Sequence, residues 1–205
     1  MDKVIVVGGG AAGIMAAISA AESGGSVLLI EKNEKLGKKI YITGKGRCNI
    51  TNDSDVENLL KNVRSNPKFL YSAFYTFDSY RMMDFLESEG LMIKTERGNR
   101  VFPESDKSSD VIRTLKKALE KRKVKILLNT KVNKIDIKDG ICKGVEVQSG
   151  GRSENYTADK VIVATGGCSY QSTGSTGDGY KFAKDADIKV TKCYPSLVPF
   201  NIDSD

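Results

Sequence analysis

The sequence has 205 residues and no histidine. That absence excludes a histidine-based triad, a histidine-ligated metal and an imidazole general base within this chain. Proton transfer falls instead to Tyr, Lys, Cys, Asp, Glu, a cofactor or water. Cysteine is scarce: Cys48, Cys142, Cys168 and Cys193 include no C-x-x-C pair. Zinc sites and dithiol redox motifs therefore have no support. No apolar run approaches the roughly 20 residues of a membrane-spanning helix. The N-terminus enters a strand by residue 4, without a basic segment ahead of a cleavable apolar stretch. The expected location is cytoplasmic, with no membrane partner. Hydrophobic residues make up 40% and charged residues 28% of the chain, ordinary values for a soluble globular protein. The length suits one substantial domain, or one plus a fragment of another.

The net charge is +6. Much of it lies between Arg113 and Lys125. There Val111, Ile112, Leu115, Ala118 and Leu119 fall on one face at helical spacing, and the basic residues take the other. A solvated helix face accounts for this pattern. No aromatics interleave with the charges for stacking on bases, so no nucleic-acid partner is expected.

Residues 4–31 are the most informative stretch. Val4-Ile-Val-Val7 leads into Gly8-Gly-Gly10-Ala-Ala-Gly13, an Ala-rich helical run, and Val27-Leu-Leu-Ile-Glu31. An apolar run bounded by glycines reads as a buried parallel strand. Gly8 permits a sharp turn, and Gly10 lets a pyrophosphate approach the backbone. Gly13 lets the helix pack closely on the sheet. The helix start aims free N–H groups and a positive dipole end at phosphate. Glu31 ends the second strand, where a carboxylate can accept from ribose hydroxyls. The alternative is a plain βαβ unit with a glycine-rich turn. Strand, glycines, helix, strand and acid in the right order favour a dinucleotide site.

The periodicity predicts strands at 3–8 and 26–31 around a helix at 11–23. A long polar loop over 32–52 should hold a short helical turn. Helices follow at 54–63 and 67–90. The second carries Phe69, Leu70, Phe74, Phe77, Met82, Met83, Phe85 and Leu86, a stripe more typical of core than of a cofactor box, with Gly90 capping it. A hairpin spans 91–104 and a basic amphipathic helix 107–122. Lys125–Leu128 is a strand. Strands at 131–137, 141–148 and 153–158 form a meander through Asp139-Gly140 and Gly150-Gly151. A second buried strand, Val161-Ile-Val-Ala164, ends in Thr165-Gly-Gly167 before a Ser/Thr/Gly loop. Asp178 can cap a helix running to about residue 186. A tail over 188–205 contains Tyr194-Pro-Ser-Leu-Val-Pro-Phe200.

An NAD domain would continue with further βα units. This chain instead returns through a meander to a strand that brings a second glycine pair to the ligand, the pattern of FAD-type folds. Several segments carry a closer likeness. They are Gly8–Gly13, Glu31-Lys32, Leu36-Gly-Lys38-Lys39, Thr43-Gly44-Lys45-Gly46-Arg47-Cys48-Asn49-Ile50-Thr51-Asn52, Arg100-Val-Phe-Pro103, Ala164-Thr165-Gly166-Gly167, Thr173-Gly-Ser-Thr-Gly-Asp-Gly-Tyr180 and Pro195-Ser-Leu-Val-Pro199. With these the sequence resembles the BaiN-like, aminoacetone-oxidase-like family of FAD-dependent flavoproteins.

The resemblance implies an α/β, Rossmann-like FAD-binding domain of the glutathione-reductase type, with a central parallel sheet and a three-stranded β-meander. It implies FAD as cofactor and NAD(P)H as a candidate reductant. Gly8, Gly10, Ala12 and Gly13 would hold the pyrophosphate. Glu31 would hold the adenosine ribose, with Lys32 beside it. Lys38 and Lys39 would lie near the phosphates, or be two solvated lysines. Gly44, Arg47, Cys48 and Asn49 would line the path towards the flavin. Arg47 and Asn49 read better as loop and cofactor positioning than as catalysis, and no catalytic residue is assigned. Val132 would meet adenine through its backbone. Ala164, Thr165 and Gly166 would pack on the cofactor. Asp178 would lie near its ribityl or ribose region, or simply cap its helix.

Members of that family are longer, with a substrate domain after the Pro-x-Leu-Val-Pro segment. The resemblance therefore implies that 1–194 is the N-terminal part of an FAD domain and 195–205 the start of a connection. Asp187-Ile188 stands where relatives carry Gly-His, and Lys45 replaces a glycine common in the family. The leading expectation is an FAD-dependent oxidoreductase moving a hydride between flavin and NAD(P)H or a small organic substrate. The alternatives are a nucleotide-binding module without turnover and an NAD(P)-binding domain; Glu31 disfavours a 2′-phosphate. A homo-oligomer is compatible with the sequence.

Overall fold

A computed structural model describes residues 1–195. The chain opens with β1 (Lys3–Val7), α1 (Ala11–Glu22) and β2 (Ser26–Ile30). The long loop holds α2 (Lys38–Ile42), a 3-10 turn (Thr43–Gly46) and the short β3 (Thr51–Asn52). Then come α3 (Val56–Lys61), a 3-10 turn (Pro67–Leu70), α4 (Tyr71–Thr76) and α5 (Ser79–Ser88). The hairpin β4 (Ile93–Glu96) and β5 (Arg100–Pro103) precedes α6 (Ser108–Lys121) and β6 (Lys125–Leu127). The meander is β7 (Lys131–Lys138), β8 (Ile141–Ser149) and β9 (Arg152–Thr157). β10 (Lys160–Val163), a 3-10 turn (Gln171–Thr173) and α7 (Asp178–Asp185) complete the described chain.

The central sheet has the order β10-β1-β2-β6 and is parallel throughout. The expected return holds: β10 runs beside β1, pairing Val4 with Lys160 through to Val7 with Val163. The period of two along β1 divides its side chains between two cores. Val4 and Val6 pack with Ile14, Ile18, Val27, Leu29, Leu115 and Leu119 beneath α1 and α6. Ile5 and Val7 pack with Ile30, Val132, Val145, Val147 and Phe182 on the meander side. Both faces are thus covered, as a parallel sheet requires, and the meander takes the face that helices cover in a doubly wound fold. The apolar face of α6 is buried as its spacing predicts: Val111, Leu115, Ala118 and Leu119 are in the core. Arg122 then ties the end of α6 to α5 and α1 by ion pairs to Glu89 and Glu22. No helix among the described residues is long and apolar enough to cross a membrane.

One expectation fails. The helix expected over 67–90 is broken into a 3-10 turn, α4 and α5. Asp78 interrupts it: its backbone is extended, and its carboxylate accepts from the Arg81 N–H at 2.8 Å, capping α5. Hydrophobic spacing alone did not register this internal cap. The stripe divides with it. Leu86 is fully buried and Met82 and Phe85 pack on the core, while Phe69 is 79% exposed and Phe77 lies outside too. At the far end Gly90 behaves as expected. It takes φ +88, and the Gly90 and Leu91 N–H groups donate to Glu87 and Leu86, a Schellman closure. Pro195 is the last described residue of the tail. The remainder of the predicted 195–205 connection lies outside the described residues.

Candidate dinucleotide-binding site

A cavity of about 600 Å³ opens at the C-terminal ends of β1, β2 and β10. This volume is within the usual range for ligand sites, and the place is the usual one for an open α/β sheet. Gly8 leaves β1 with φ +109, and its N–H donates to the Ile30 carbonyl at 2.8 Å. A Cβ there would stand 2.4 Å from the Ala164 carbonyl oxygen, so β10 and the turn can meet only at glycine. A Cβ on Gly13 would stand 1.7 Å from the Gly8 oxygen. Gly13 therefore serves helix packing and does not line the cavity. Gly10 is the reverse case. It lines the cavity, and no protein atom lies within 4 Å of where its Cβ would be. It brings no side chain to cap α1, and Ala11 and Ala12 continue the wall. The helix N-terminus thus faces open space.

Glu31 is buried, and both carboxylate oxygens are engaged within the chain. One accepts from the Gly9 N–H at 2.6 Å; the other accepts from the Asn33 N–H at 2.8 Å and its side-chain amide at 2.7 Å. Glu31 therefore fastens the glycine turn to the end of β2 while lining the cavity. Lone pairs remain on a carboxylate with three partners, so further acceptance from a ligand hydroxyl is open to it.

The Ser/Thr/Gly loop 168–177 is drawn over the cavity by side chains from the opposite wall. Lys32 Nζ lies 2.7 Å from both Asp178 Oδ2 and Thr176 Oγ1. The Asn33 amide donates to the Thr173 carbonyl at 3.2 Å, and Lys39 Nζ to the Ser169 carbonyl at 2.9 Å. Lys38 reaches Asn33 at 3.4 Å and Glu34 at 3.3 Å. The capping role weighed for Asp178 is overturned. The N-cap of α7 is Gly177 at φ +79, and Asp178 is the first helical residue. Burial pushes its carboxyl up, but hydrogen bonds from Lys32 and Thr176 outweigh this and hold it below the ordinary value.

Arg47 and Gly44 do not line the cavity. Arg47 pairs with Glu96 and Asp106 and lies 4.1 Å from the centre of the Phe102 ring. Those partners raise its pKa; in return Arg47 holds the Glu96 carboxyl below its ordinary range, and Lys94 together with Arg47 does the same for Asp106. Arg47 thereby pins a contorted loop: Gly44, Lys45, Gly46 and Cys48 all have positive φ. The loop presents Cys48 and Asn49 to the cavity. Burial pushes the Cys48 thiol up, against a hydrogen bond with Thr43, so it is a poor nucleophile. Two departures from the family pattern fall at such positions. Lys45 (φ +57) and Asp187 (φ +55) each take the left-handed backbone that glycine adopts most easily.

Apart from Gly13, Gly44 and Arg47, every residue expected to contact the cofactor lines this one cavity. Val132 does so from β7, an edge strand of the meander. Sequence reasoning gave no site role to Asn33, which lies outside every quoted segment, nor to Thr43, Ile50, Ser175 and Tyr180, which lie within the segments that carry the family likeness. It considered and set aside the Met82 and Leu86 stripe, which lines the cavity and packs on the core together. Thr165 Oγ1 is buried beside the cavity with no hydrogen-bond partner among the described residues.

The parallel sheet, the meander and the paired glycine turns define an FAD-binding Rossmann domain. The chain belongs to the family described as HI0933-like protein Rossmann domain, whose model matches residues 2–194. It is 34% identical, over 98% of its length, to the 3-dehydro-bile acid delta(4,6)-reductase of Clostridium scindens, of which it covers 48%. It is 30% identical, over 96% of its length, to the ribosomal RNA dihydrouridine synthase of Haemophilus influenzae, again covering 48%. Among solved structures, the open conformation of a flavocytochrome c3 fumarate reductase superposes with a TM-score of 0.63 at 25% identity, covering 90% of this chain and 40% of that one. The chain spans about half the length of the curated relatives it matches.

Proposed function

We propose that this chain is the FAD-holding part of a flavoprotein reductase that passes a hydride to a conjugated carbon–carbon double bond, with NAD(P)H as the reductant. The observation that carries the cofactor is the space before Gly10. It is a cradle that a single Cβ would begin to fill, at a free helix N-terminus, in a cavity of about 600 Å³. The orphaned Thr165 hydroxyl and the Lys38 and Lys39 side chains are further donors suited to an anionic, hydroxyl-bearing ligand. Gly8, Gly10, Ala12 and the start of α1 would hold the pyrophosphate. Glu31 would take ribose hydroxyls on its remaining lone pairs. Val132, Ala164, Thr165 and Gly166 would form the walls, and Cys48 and Asn49 the path towards the flavin. Gly13, Gly44 and Arg47 would act through the backbone they hold in place. When bound, FAD supplies the hydride chemistry, and the protein orients it and excludes water.

The substrate class rests on the relatives' names. One is named for reducing the delta(4,6) bonds of a bile acid, the other for making dihydrouridine. Both names describe saturation of a ring double bond. Within these 205 residues no histidine is present to supply the accompanying proton, which leaves Tyr, Lys, Cys, Asp, Glu, the cofactor or water as donors from this part.

The test is the visible spectrum of the purified chain. Flavin bands that bleach anaerobically with NAD(P)H are expected. Colour without bleaching would leave a nucleotide-binding module that does not turn over by itself. A colourless chain that FAD cannot reconstitute would sink the flavin assignment.

A further inference from the structure

Asn33 lines the cavity where four segments of the chain meet. Its backbone N–H and its side-chain amide both donate to Glu31 Oε1, at 2.8 and 2.7 Å. The same amide nitrogen donates to the Thr173 carbonyl, in the loop before α7, at 3.2 Å. Lys38 Nζ, at the start of α2, donates to Asn33 Oδ1 at 3.4 Å. The Asn129 N–H, ahead of β7, donates to the Asn33 carbonyl at 3.0 Å. These partners fix which way the amide faces. Turned over, its oxygen would confront the Glu31 and Thr173 oxygens, and its NH2 the Lys38 ammonium. Two glycines make room for the arrangement. A Cβ on Gly174 would stand 2.6 Å from Asn33 Nδ2, and one on Gly9 would stand 3.1 Å from Glu31 Oε2.

A carboxylate accepts at about four positions, two on each oxygen. At Glu31 both positions on Oε1 are filled by Asn33. On Oε2 one is filled by the Gly9 N–H at 2.6 Å, and one is left. Clearing Oε1 for a ligand would also pull the amide away from Thr173 and Lys38. A ligand hydroxyl is therefore directed to Oε2. We propose that Asn33 is a specificity-determining residue that restricts Glu31 to a single hydroxyl of the ligand's ribose. On the dinucleotide reading above, on which this rests, the acid would face two neighbouring hydroxyls, 2′ and 3′. One of them donates to Oε2, and the other finds no acceptor on Glu31. Removing the amide changes that number. Oε1 then keeps only the Asn33 backbone N–H and gains an open position for the second hydroxyl.

The experiment is isothermal titration calorimetry of the full 205-residue chain, freed of flavin, with ADP, 2′-deoxy-ADP and 3′-deoxy-ADP. In the parent, one deoxy analogue should bind roughly 10- to 100-fold more weakly than ADP, the range for a hydrogen bond to a charged group. The other should bind within about twofold of ADP, because the hydroxyl it lacks has no partner on Glu31. In Asn33→Ala both analogues should bind at least about fivefold more weakly than ADP. Asn33→Ser, whose hydroxyl stops one atom short of the Nδ2 position, is measured beside it and should show the same ratios. Circular dichroism melts confirm that each variant is folded. The ratios to ADP are the readout, so a general loss of affinity cancels. An Asn33 that only supports the fold would lower all three affinities together and leave the ratios as in the parent, and that result overturns the proposal. A parent in which both analogues lose equally, or neither loses, overturns it without recourse to any variant. FAD retention by the parent alongside one of these outcomes rejects the role of Asn33 and leaves the flavin reading standing. A parent that binds neither ADP nor FAD rejects both.

Discussion

Gly10 and Gly13 sit three positions apart in one turn and answer to different constraints. A methyl group on Gly13 would overlap the Gly8 carbonyl oxygen, and nothing flexible is there to yield. A methyl group on Gly10 would meet no protein atom. Gly13→Ala is therefore expected to destabilise the fold by several kcal/mol, as overpacking against backbone does at the severe end (about 3 kcal/mol or more). Gly10→Ala should melt like the parent, or slightly higher, and lose FAD affinity tenfold or more. Paired thermal melts and FAD titrations check this. Equal melting losses in the two variants would refute the division. Both glycines were legible in the sequence as one motif, but only the packing around them separates fold from ligand. Glu31 teaches the same lesson. Its place at the end of β2 follows from strand periodicity, whereas its three internal N–H partners depend on where the turn and Asn33 come to rest.

At the scale of elements, the most exacting case is the loop before α7. Its Ser/Thr/Gly composition announced a loop, and Asp178 suggested a cap. The carboxylate instead reaches across the cavity to Lys32, a contact 146 residues distant in sequence that no local signal encodes. A consequence in pH follows. The folded pKa of Asp178 is held below its unfolded value of about 3.9. The pair therefore contributes stability above that value, and loses it as pH falls through the folded pKa. Asp178→Asn should lower the denaturant midpoint of the apoprotein at pH 7, and the gap from the parent should close below about pH 4. Both groups are about a quarter exposed, so screening keeps the effect modest, about 1 kcal/mol or less. A gap that stays constant from pH 7 to pH 3 would show that the pair adds nothing. The stretch 67–90 failed for a related reason. Periodicity ran through it unbroken, while a single capping aspartate divided it, and five of its seven aromatics face outward.

Across the whole molecule, the central sheet, α1, α6 and the meander follow from alternation and spacing, because each is decided by burial on a known face. The helices of the insertion were legible too, but the break at Asp78 and the outward rings were not, since hydrophobic spacing does not register an internal cap. The same division bears on the site. The glycine turn, Glu31, Lys32 and the edge of β7 all belong to this chain and meet in one cavity. If they hold the adenosine and pyrophosphate end, that end is complete here whatever the rest of the longer relatives supplies. ADP alone should then stabilise the chain. A ligand at about one hundred times its Kd adds about 2.7 kcal/mol, or roughly 5–10 °C for a domain of this size. FAD should shift the melt at least as far as ADP, and FMN, which lacks the adenosine, should shift it little. Differential scanning fluorimetry over a concentration series measures all three, with FMN and FAD read by circular dichroism to avoid their own fluorescence. If FMN stabilises the chain as well as ADP does, the cavity is centred on the flavin, and the roles of Glu31 and Val132 must be reassigned.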